Sequence, residues 1–268
     1  MSSIYVHDQK DPMQPRVSLS VVSHAQGDLI ERLLQSLAQH KPPMPIEVIL
    51  TENIPERMGA QGKTLPFPVR VVHNTKPLGF AANHNQAFEF AQGEYFALIN
   101  PDIIFSSDVL SPLVALLETN QADIVAPLVV NPDGDIQDSY RPLPTPFSLF
   151  LRRIRITSVP RTEPPTDLVQ PDWIAAMFLL MRRSTYLALG GMDSRYHLYF
   201  EDVDFSCRAR LAGYSLAVDP FHTITHDAQR MSRRNPAFAL QHCISALRFF
   251  TSETYRQYKS RLRNPISS

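Results

Sequence analysis

Tyr95-Phe96-Ala97-Leu98-Ile99-Asn100-Pro101-Asp102 is a five-residue apolar run that ends in a polar loop carrying one carboxylate. The run is too short for a helix and fits a strand buried on both faces. The same unit recurs toward the N-terminus. Residues 17–22, 46–50 and 69–72 are short apolar runs, and Leu29, Leu33, Leu34 and Leu37 follow the first at helical spacing, with Asp28 at the start. An Ala/Asn/Phe-rich helix is predicted over about 80–91. Strands alternating with helices specify an α/β fold, a Rossmann-like, mainly parallel sheet flanked by helices, whose ligands bind beyond the carboxyl ends of the strands. His24, Glu52-Asn53, Asn74 and Asn100-Pro101-Asp102 all follow such strands, where a nucleotide pocket belongs.

The chain has 268 residues, 44% hydrophobic and 19% charged, enough for one large α/β domain, or two small ones, with a real core. No apolar run approaches the roughly 20 residues that span a bilayer, and residues 1–16 are polar, unlike a signal peptide. These features predict a cytoplasmic protein whose residues 1–16 are a disordered lead-in and whose fold starts at Val17. Cys207 and Cys243 are too few for a disulfide framework and are read as buried thiols. The net charge of zero conceals a basic tail: residues 230–263 hold eight Lys or Arg against one acid, Glu253. Such a tail suits nucleic acid, anionic lipid or a phosphate-bearing substrate, and charge alone does not choose among them.

Residues 123–130 read as a further strand closed by the turn Asn131-Pro132-Asp133-Gly134. Seven prolines then interrupt residues 141–171, predicting a long mobile loop. Inside it Phe147, Phe150, Leu151 and Ile154 share helical spacing beside Arg152, Arg153 and Arg155, which suits a helix on a membrane surface or an ordinary surface helix equally. Residues 173–181 are apolar again. One long helix is predicted over 236–258, with Phe238, Leu240, Ile244, Leu247 and Phe250 available for packing.

Glu201, Asp202 and Asp204 crowd three carboxylates into four residues, directly after Tyr196, Tyr199 and Phe200. Burial of such a cluster requires a cation, a proton or a polar ligand. A helix N-terminus explains an isolated Glu-Asp pair equally well. The second acidic site at Asp102 favours one shared pocket. Phosphate-loop chemistry is excluded: Gly59-Ala60-Gln61-Gly62-Lys63-Thr64 lacks the first glycine, where Arg57 stands, and Leu65-Pro66-Phe67-Pro68 replaces the helix that would hold phosphate. No Gly-x-Gly-x-x-Gly follows the first strand, where Ser23-His24-Ala25-Gln26-Gly27 stands instead. Without a backbone cradle, a diphosphate calls for a metal. Asp102 supplies a hard ligand for Mg²⁺ or Mn²⁺, and His226 is the best-placed histidine to complete it, with His222 and Asp227 as competitors.

The ordered set Ser20-Val21-Val22-Ser23-His24, Thr51-Glu52-Asn53, Leu78-Gly79-Phe80-Ala81-Ala82-Asn83-His84-Asn85, Asn100-Pro101-Asp102, Gly190-Gly191-Met192-Asp193, Tyr199-Phe200-Glu201-Asp202-Val203-Asp204 and His226 resembles the inverting GT-A glycosyltransferases of the family 2 type. It is most similar to the bacterial rhamnosyltransferases that build cell-surface polysaccharide, over roughly residues 17–250. The resemblance implies a GT-A sheet, mixed but mainly parallel, with a C-terminal helix, in one domain over 17–268. Residues 17–130 would be its nucleotide-binding half, and 131–268 its acceptor-binding half with the 141–171 loop and the basic C-terminal helix. It implies a dTDP- or UDP-sugar donor, a glycan acceptor and no nucleic-acid partner; the basic tail and residues 147–156 suggest a polyprenyl-diphosphate-linked acceptor and peripheral contact with the inner face of the membrane. Asp102 and His226 would hold Mg²⁺ or Mn²⁺. Ser23, His24, Glu52, Asn53, Gly79, Asn83, Asn85, Asn100, Asp102 and Trp173 would form the donor site. Glu52 stands where the family usually has Asp, and Ser23-His24-Ala25 where it usually has Thr-Tyr-Asn.

An inverting transferase needs one base for the acceptor hydroxyl and no covalent nucleophile. Asp202 is the expected base, with Glu201 or Asp204 orienting the acceptor or fixing the helix. Two alternatives compete: a degenerate transferase that only binds a sugar nucleotide, and a sugar-1-phosphate nucleotidyltransferase. The latter needs a Gly-rich basic N-terminal loop that residues 17–27 lack.

Overall fold

A computed structural model describes residues 4–6, 14–55, 64–153, 163–227 and 236–263 of the chain. The rejected phosphate-loop stretch 59–63 lies outside the described residues, as do Ile154, Arg155 and the arginines at 230, 233 and 234. The predicted apolar runs become strands: β2 Val17–Ser23, β3 Ile46–Glu52, β4 Val69–His73, β5 Tyr95–Ile99 and β7 Ile124–Val130. Short strands β1 Ile4–Val6 and β6 Ile103–Phe105, with β10 Phe178–Arg182 and β11 Leu216–His226, complete a nine-stranded sheet. Its order is β1-β4-β3-β2-β5-β10-β7-β11-β6. Strands β4, β3, β2 and β5 run parallel, β10 lies antiparallel between β5 and β7, and β11 runs parallel to β7. The sheet is therefore mixed. Residues 4–6 fall within the stretch expected to be a lead-in, and they add an antiparallel edge strand to β4, as an Ile-Tyr-Val triplet can.

Helices cover both faces. Helix α1 Gly27–Gln39 buries Leu29, Ile30, Leu33, Leu34 and Leu37, as its spacing predicts. Helix α2 Phe80–Phe88 and helix α3 Leu110–Glu118 cross back to β5 and β7. Helix α4 Pro146–Arg153 forms inside the proline-rich region. Strands β8 Tyr140–Arg141 and β9 Trp173–Ile174 pair as a separate ribbon, so the apolar stretch 173–181 is two strands joined through Ala175–Met177. Helix α5 Arg183–Ala188 precedes the acidic helix α6 Glu201–Leu211.

The long C-terminal helix divides into α7 Pro236–Thr251 and α8 Glu253–Arg263, broken at Ser252, whose hydroxyl receives the Tyr255 N–H and so caps the second helix. Two expectations for this region are corrected. Cys243 is exposed, while Cys207 is buried. Leu240, Ile244 and Leu247 also face outward, and Phe249 with its neighbour Phe250 does the packing, stacked near Phe200. The two sets lie on opposite sides of one helix, and apolarity alone could not say which side would meet the core.

Candidate active site

The strand order reverses between β3 and β5 around β2, which leaves a crevice beyond the carboxyl ends of β2 and β5. A cavity of about 950 Å³ occupies it. Five expected donor-site residues line it: His24, Asn53, Asn83, Asn100 and Asp102. Its wall is braced by an asparagine network. Asn53 Oδ1 accepts from the Leu78 N–H and from Asn74 Nδ2, and Asn53 Nδ2 donates to the Leu78 carbonyl. Asn74 Nδ2 also reaches Asn83 Oδ1 at 2.7 Å. Buried amides satisfied in this way fix the loop that enters α2.

Ser23, Glu52 and Gly79 stand behind the lining. Ser23 Oγ accepts from the Gln26 N–H and shapes the turn into α1. Glu52 is buried and pairs with His73 at 2.5 Å. Gly79 is required by proximity: a Cβ there would lie 2.6 Å from the His197 carbonyl oxygen, the same oxygen that receives the Phe80 N–H. Helix α2 is thereby docked on the segment leading into the acidic helix. Asn85 points elsewhere. Its side chain takes the Tyr186 hydroxyl and bonds both backbone groups of Met192, so it anchors the 190–192 loop.

Asp102 and His226 meet because β11 pairs with β6 in a register that puts His226 opposite Ile103. His226 Nε2 stands 3.1 Å from Asp102 Oδ2. Gln137 donates to the His226 carbonyl through Nε2, so its Oε1 faces His226 Nδ1 at 2.8 Å. That assignment places the imidazole proton on Nδ1 and leaves the Nε2 lone pair directed at the carboxylate. Asp102 Oδ1 is buried with no hydrogen-bond partner among the described residues. Two lone-pair donors converging beside an orphaned carboxylate oxygen fit a hard divalent cation such as Mg²⁺ or Mn²⁺. Among the described residues no three His, Cys, Asp or Glu side chains gather as a closed metal site, so such an ion would draw its other ligands from water and substrate phosphate. The competitors are occupied: His222 pairs with Asp219, and Asp227 with Arg32.

A second cavity, about 260 Å³, holds Asp202, Glu201 and Trp173, with Arg141, Tyr199, Phe200 and His242 around them. Trp173, expected beside the donor, thus lies with the acidic motif, its indole N–H donating to the Pro142 carbonyl and Arg141 stacked on its ring. Tyr199 and Phe200 both have φ near +69°, a left-handed conformation costly for aromatic residues. This bend carries the chain from His197 and Leu198, which line the larger cavity, to Glu201 and Asp202 in the smaller. The three acids are not equivalent. Asp204 is buried against Arg208, which also donates to the carbonyls of Leu189 and Gly191; this pair ties α6 to the neighbouring loop. Burial pushes Asp202 up to about 6 even though the Val203 N–H donates to it. Burial, with the Asp202 charge beside it, lifts Glu201 well above the carboxylate range, and Glu201 Oε2 has no partner among the described residues.

His84 was part of the sequence pattern but had no expected role. It lies in the wall of the larger cavity, fully buried, with Nδ1 on Ser20 Oγ at 2.7 Å and Nε2 without a partner among the described residues. Burial lowers its pKa to about 3, so the ring is neutral at physiological pH. Gln137 was also missed. Nothing local marks a glutamine as the orienting group of a histidine 89 residues away.

A sequence model for glycosyl transferase family 2 matches residues 18–184, more than half of the chain. The N-acetylglucosaminyl-diphospho-decaprenol L-rhamnosyltransferase of Mycobacterium tuberculosis is 26% identical over 238 residues, covering 81% of this chain and 77% of that protein. Rhamnosyltransferase WbbL of Escherichia coli is 27% identical over 225 residues, covering 78% and 82%. Among solved structures, GalNAc-T7 with UDP, GalNAc and Mn²⁺ superposes with a TM-score of 0.62 at 16% identity, over 80% of this chain and 43% of that one. The mixed, mainly parallel sheet with its flanking and C-terminal helices is the GT-A fold.

Proposed function

The chain belongs to glycosyl transferase family 2 and is a glycosyltransferase similar to rhamnosyltransferases, and from that premise we propose that it transfers L-rhamnose from dTDP-rhamnose, with inversion, to a hydroxyl of a polyprenyl-diphosphate-linked glycan. The observation that carries the mechanism is the pair of adjoining cavities, one with Asp102 and His226, the other with Asp202, joined by the left-handed bend at Tyr199 and Phe200. Residues 17–130 hold the donor in this reading, and 131–268 supply the acceptor side and His226.

The nucleoside enters the larger cavity beside His24 and Asn53, with its diphosphate toward Asp102. Asp102 and His226 would hold a divalent cation, Mg²⁺ or Mn²⁺, which would supply positive charge against the departing diphosphate. Gln137 keeps the His226 Nε2 lone pair available. His84, neutral and with its Nε2 lacking a partner among the described residues, offers a hydrogen bond to an uncharged polar group of the donor. The acceptor sugar packs against Trp173 and Tyr199, and Asp202 takes the proton of its hydroxyl as the anomeric carbon is attacked from the face opposite the leaving group. A carboxylate raised to about 6 is basic enough for this and still ionised at neutral pH. Glu201, whose proton affinity burial and the Asp202 charge raise, stands beside it to orient the same acceptor. Among the described residues no helix is long and apolar enough to cross a membrane, and a lipid-linked acceptor would be met at a membrane surface.

A thermal-shift panel of dTDP-rhamnose, UDP-hexoses and UDP-N-acetylhexosamines, each with and without Mn²⁺, tests the donor. Stabilisation by dTDP-rhamnose that requires Mn²⁺ is expected. Selective stabilisation by a UDP-sugar would overturn the rhamnose reading, and anomeric analysis of the product by NMR tests inversion.

A further inference from the structure

Helix α7 has two faces with different tasks. Inward, Gln241 lines the larger cavity and His242 the smaller, and the Ser245 hydroxyl donates to the Leu198 carbonyl at 2.8 Å. Phe249 and Phe250 pack near Phe200 at the left-handed bend. Outward, Leu240, Ile244 and Leu247 are 63%, 47% and 66% exposed, an i, i+4, i+7 stripe that no described residue covers. Phe238 on the same helix is 36% exposed and also lines the larger cavity. Phe147 of α4, next to the Ser148 and Leu149 that line the smaller cavity, is 69% exposed.

Charge indicates what meets this stripe. Helix α7 contains no acid, Arg248 is exposed at its end, and α8 continues with Arg256, Lys259, Arg261 and Arg263. In sequence Arg230, Arg233 and Arg234 precede it. The one acid of the region, Glu253, is paired with Arg256. A second copy of the chain would bring cations against cations. A stripe one helix wide, with three large side chains, also falls well short of the roughly 800 Å² per partner of a specific protein interface. An apolar stripe on a helix without carboxylates, followed by a helix whose single acid is paired and which carries four cations, matches a monolayer of anionic lipid.

We propose that the Leu240-Ile244-Leu247 face of α7 is the membrane-docking element of this protein, seating both cavity mouths on an anionic lipid surface. The inference rests on the reading of the acceptor as lipid-linked, and it locates the contact on α7 rather than on residues 147–156. Shallow insertion of the three side chains, with Arg248 and the α8 cations at headgroup level, would hold the Tyr199–Phe200 bend, through Ser245 and Phe249, at a constant height above the acyl chains.

The test is co-sedimentation of the full chain with phosphatidylcholine vesicles, with and without phosphatidylglycerol, comparing the wild type with the Leu240→Gln/Ile244→Gln/Leu247→Gln variant. These exposed positions leave the core intact, so equal melting temperatures are expected. Wild-type binding to the anionic vesicles, weakened by salt, and at least about a tenfold loss in the variant support the proposal. No wild-type binding, or equal binding of the two proteins, overturns it. So does sedimentation velocity showing a wild-type dimer that the variant abolishes. Transfer to a water-soluble acceptor is measured in parallel and is expected to be equal in both proteins. If vesicle binding follows the expected pattern while neither protein transfers to any lipid-linked acceptor, the functional reading fails and the docking surface stands.

Discussion

Replacing Asp202 by Asn should stabilise this protein while nearly silencing it. Burial raises the carboxyl from 3.8 to about 6, so the folded chain binds this proton more tightly than the unfolded chain does. The stabilisation from that proton is complete below the unfolded pKa and is lost as pH rises through about 6. At pH 7.5 the native state therefore carries an ionised group that its surroundings disfavour. At about 1.36 kcal/mol per pKa unit the deficit is about 3 kcal/mol, an upper limit because the side chain is only partly buried and lines a cavity. Removing the Asp202 charge also relieves Glu201, whose own proton affinity it helps to raise, and this acts in the same direction. By scanning calorimetry the variant should melt about 2–5 °C above the wild type at pH 7.5, and the two should converge near pH 4. Turnover should fall by about 10²- to 10⁴-fold, and in the wild type kcat/KM should decline about tenfold per pH unit below about 6. A variant that melts lower at pH 7.5 would refute the burial argument, and one retaining turnover within about tenfold would remove Asp202 from the role of base.

Asp102→Ala should lower Mn²⁺-dependent binding of the donor nucleotide about 100-fold, and calorimetry with a chelator present should then show wild type and variant alike. His84→Phe should weaken donor binding about 5- to 10-fold, the worth of one hydrogen bond, with little change in its metal dependence; equal affinity in a titration would leave the ring a mere wall. Gly79→Ala drives a methyl group against the His197 carbonyl, so a loss of about 1–3 kcal/mol in denaturant unfolding and a fall in kcat through the displaced acidic turn are expected. Asn85→Ala strands the Tyr186 hydroxyl and two Met192 backbone groups, and it should cost about 2–4 kcal/mol of stability while leaving donor KM unchanged.

Most of the central sheet was legible because a strand buried on both faces is largely apolar: residues 95–99 are so throughout, and 17–22 and 46–50 depart from it only at Ser18, Ser20 and Glu47. The pairing of Asp102 with His226 was legible in part. Asp102 follows such a strand, and His226 was preferred over His222 and Asp227, which the structure shows paired to Asp219 and Arg32. The division of labour among the three acids was not legible. Asp204 looks like its neighbours until Arg208, one turn later on α6, is seen to bind it together with the carbonyls of Leu189 and Gly191. Asn85 was placed with the donor, together with Asn83, by the resemblance to the family pattern. Helical positions two apart face different ways, and Asn85 is turned toward Met192.

By itself the sequence determined the alternating α/β order, the polar strand ends and the acidic motif, because these depend on local periodicity and on residues a few positions apart. Only the tertiary structure decided that Trp173 belongs with Asp202 and not with Asp102, that Gln137 orients His226, and that α7 turns Leu240, Ile244 and Leu247 to the outside. Each of these outcomes depends on which distant segment occupies a given face. Apolar residues obey the same burial preference wherever a partner surface exists, so their pattern states that a face is needed without stating where its partner lies.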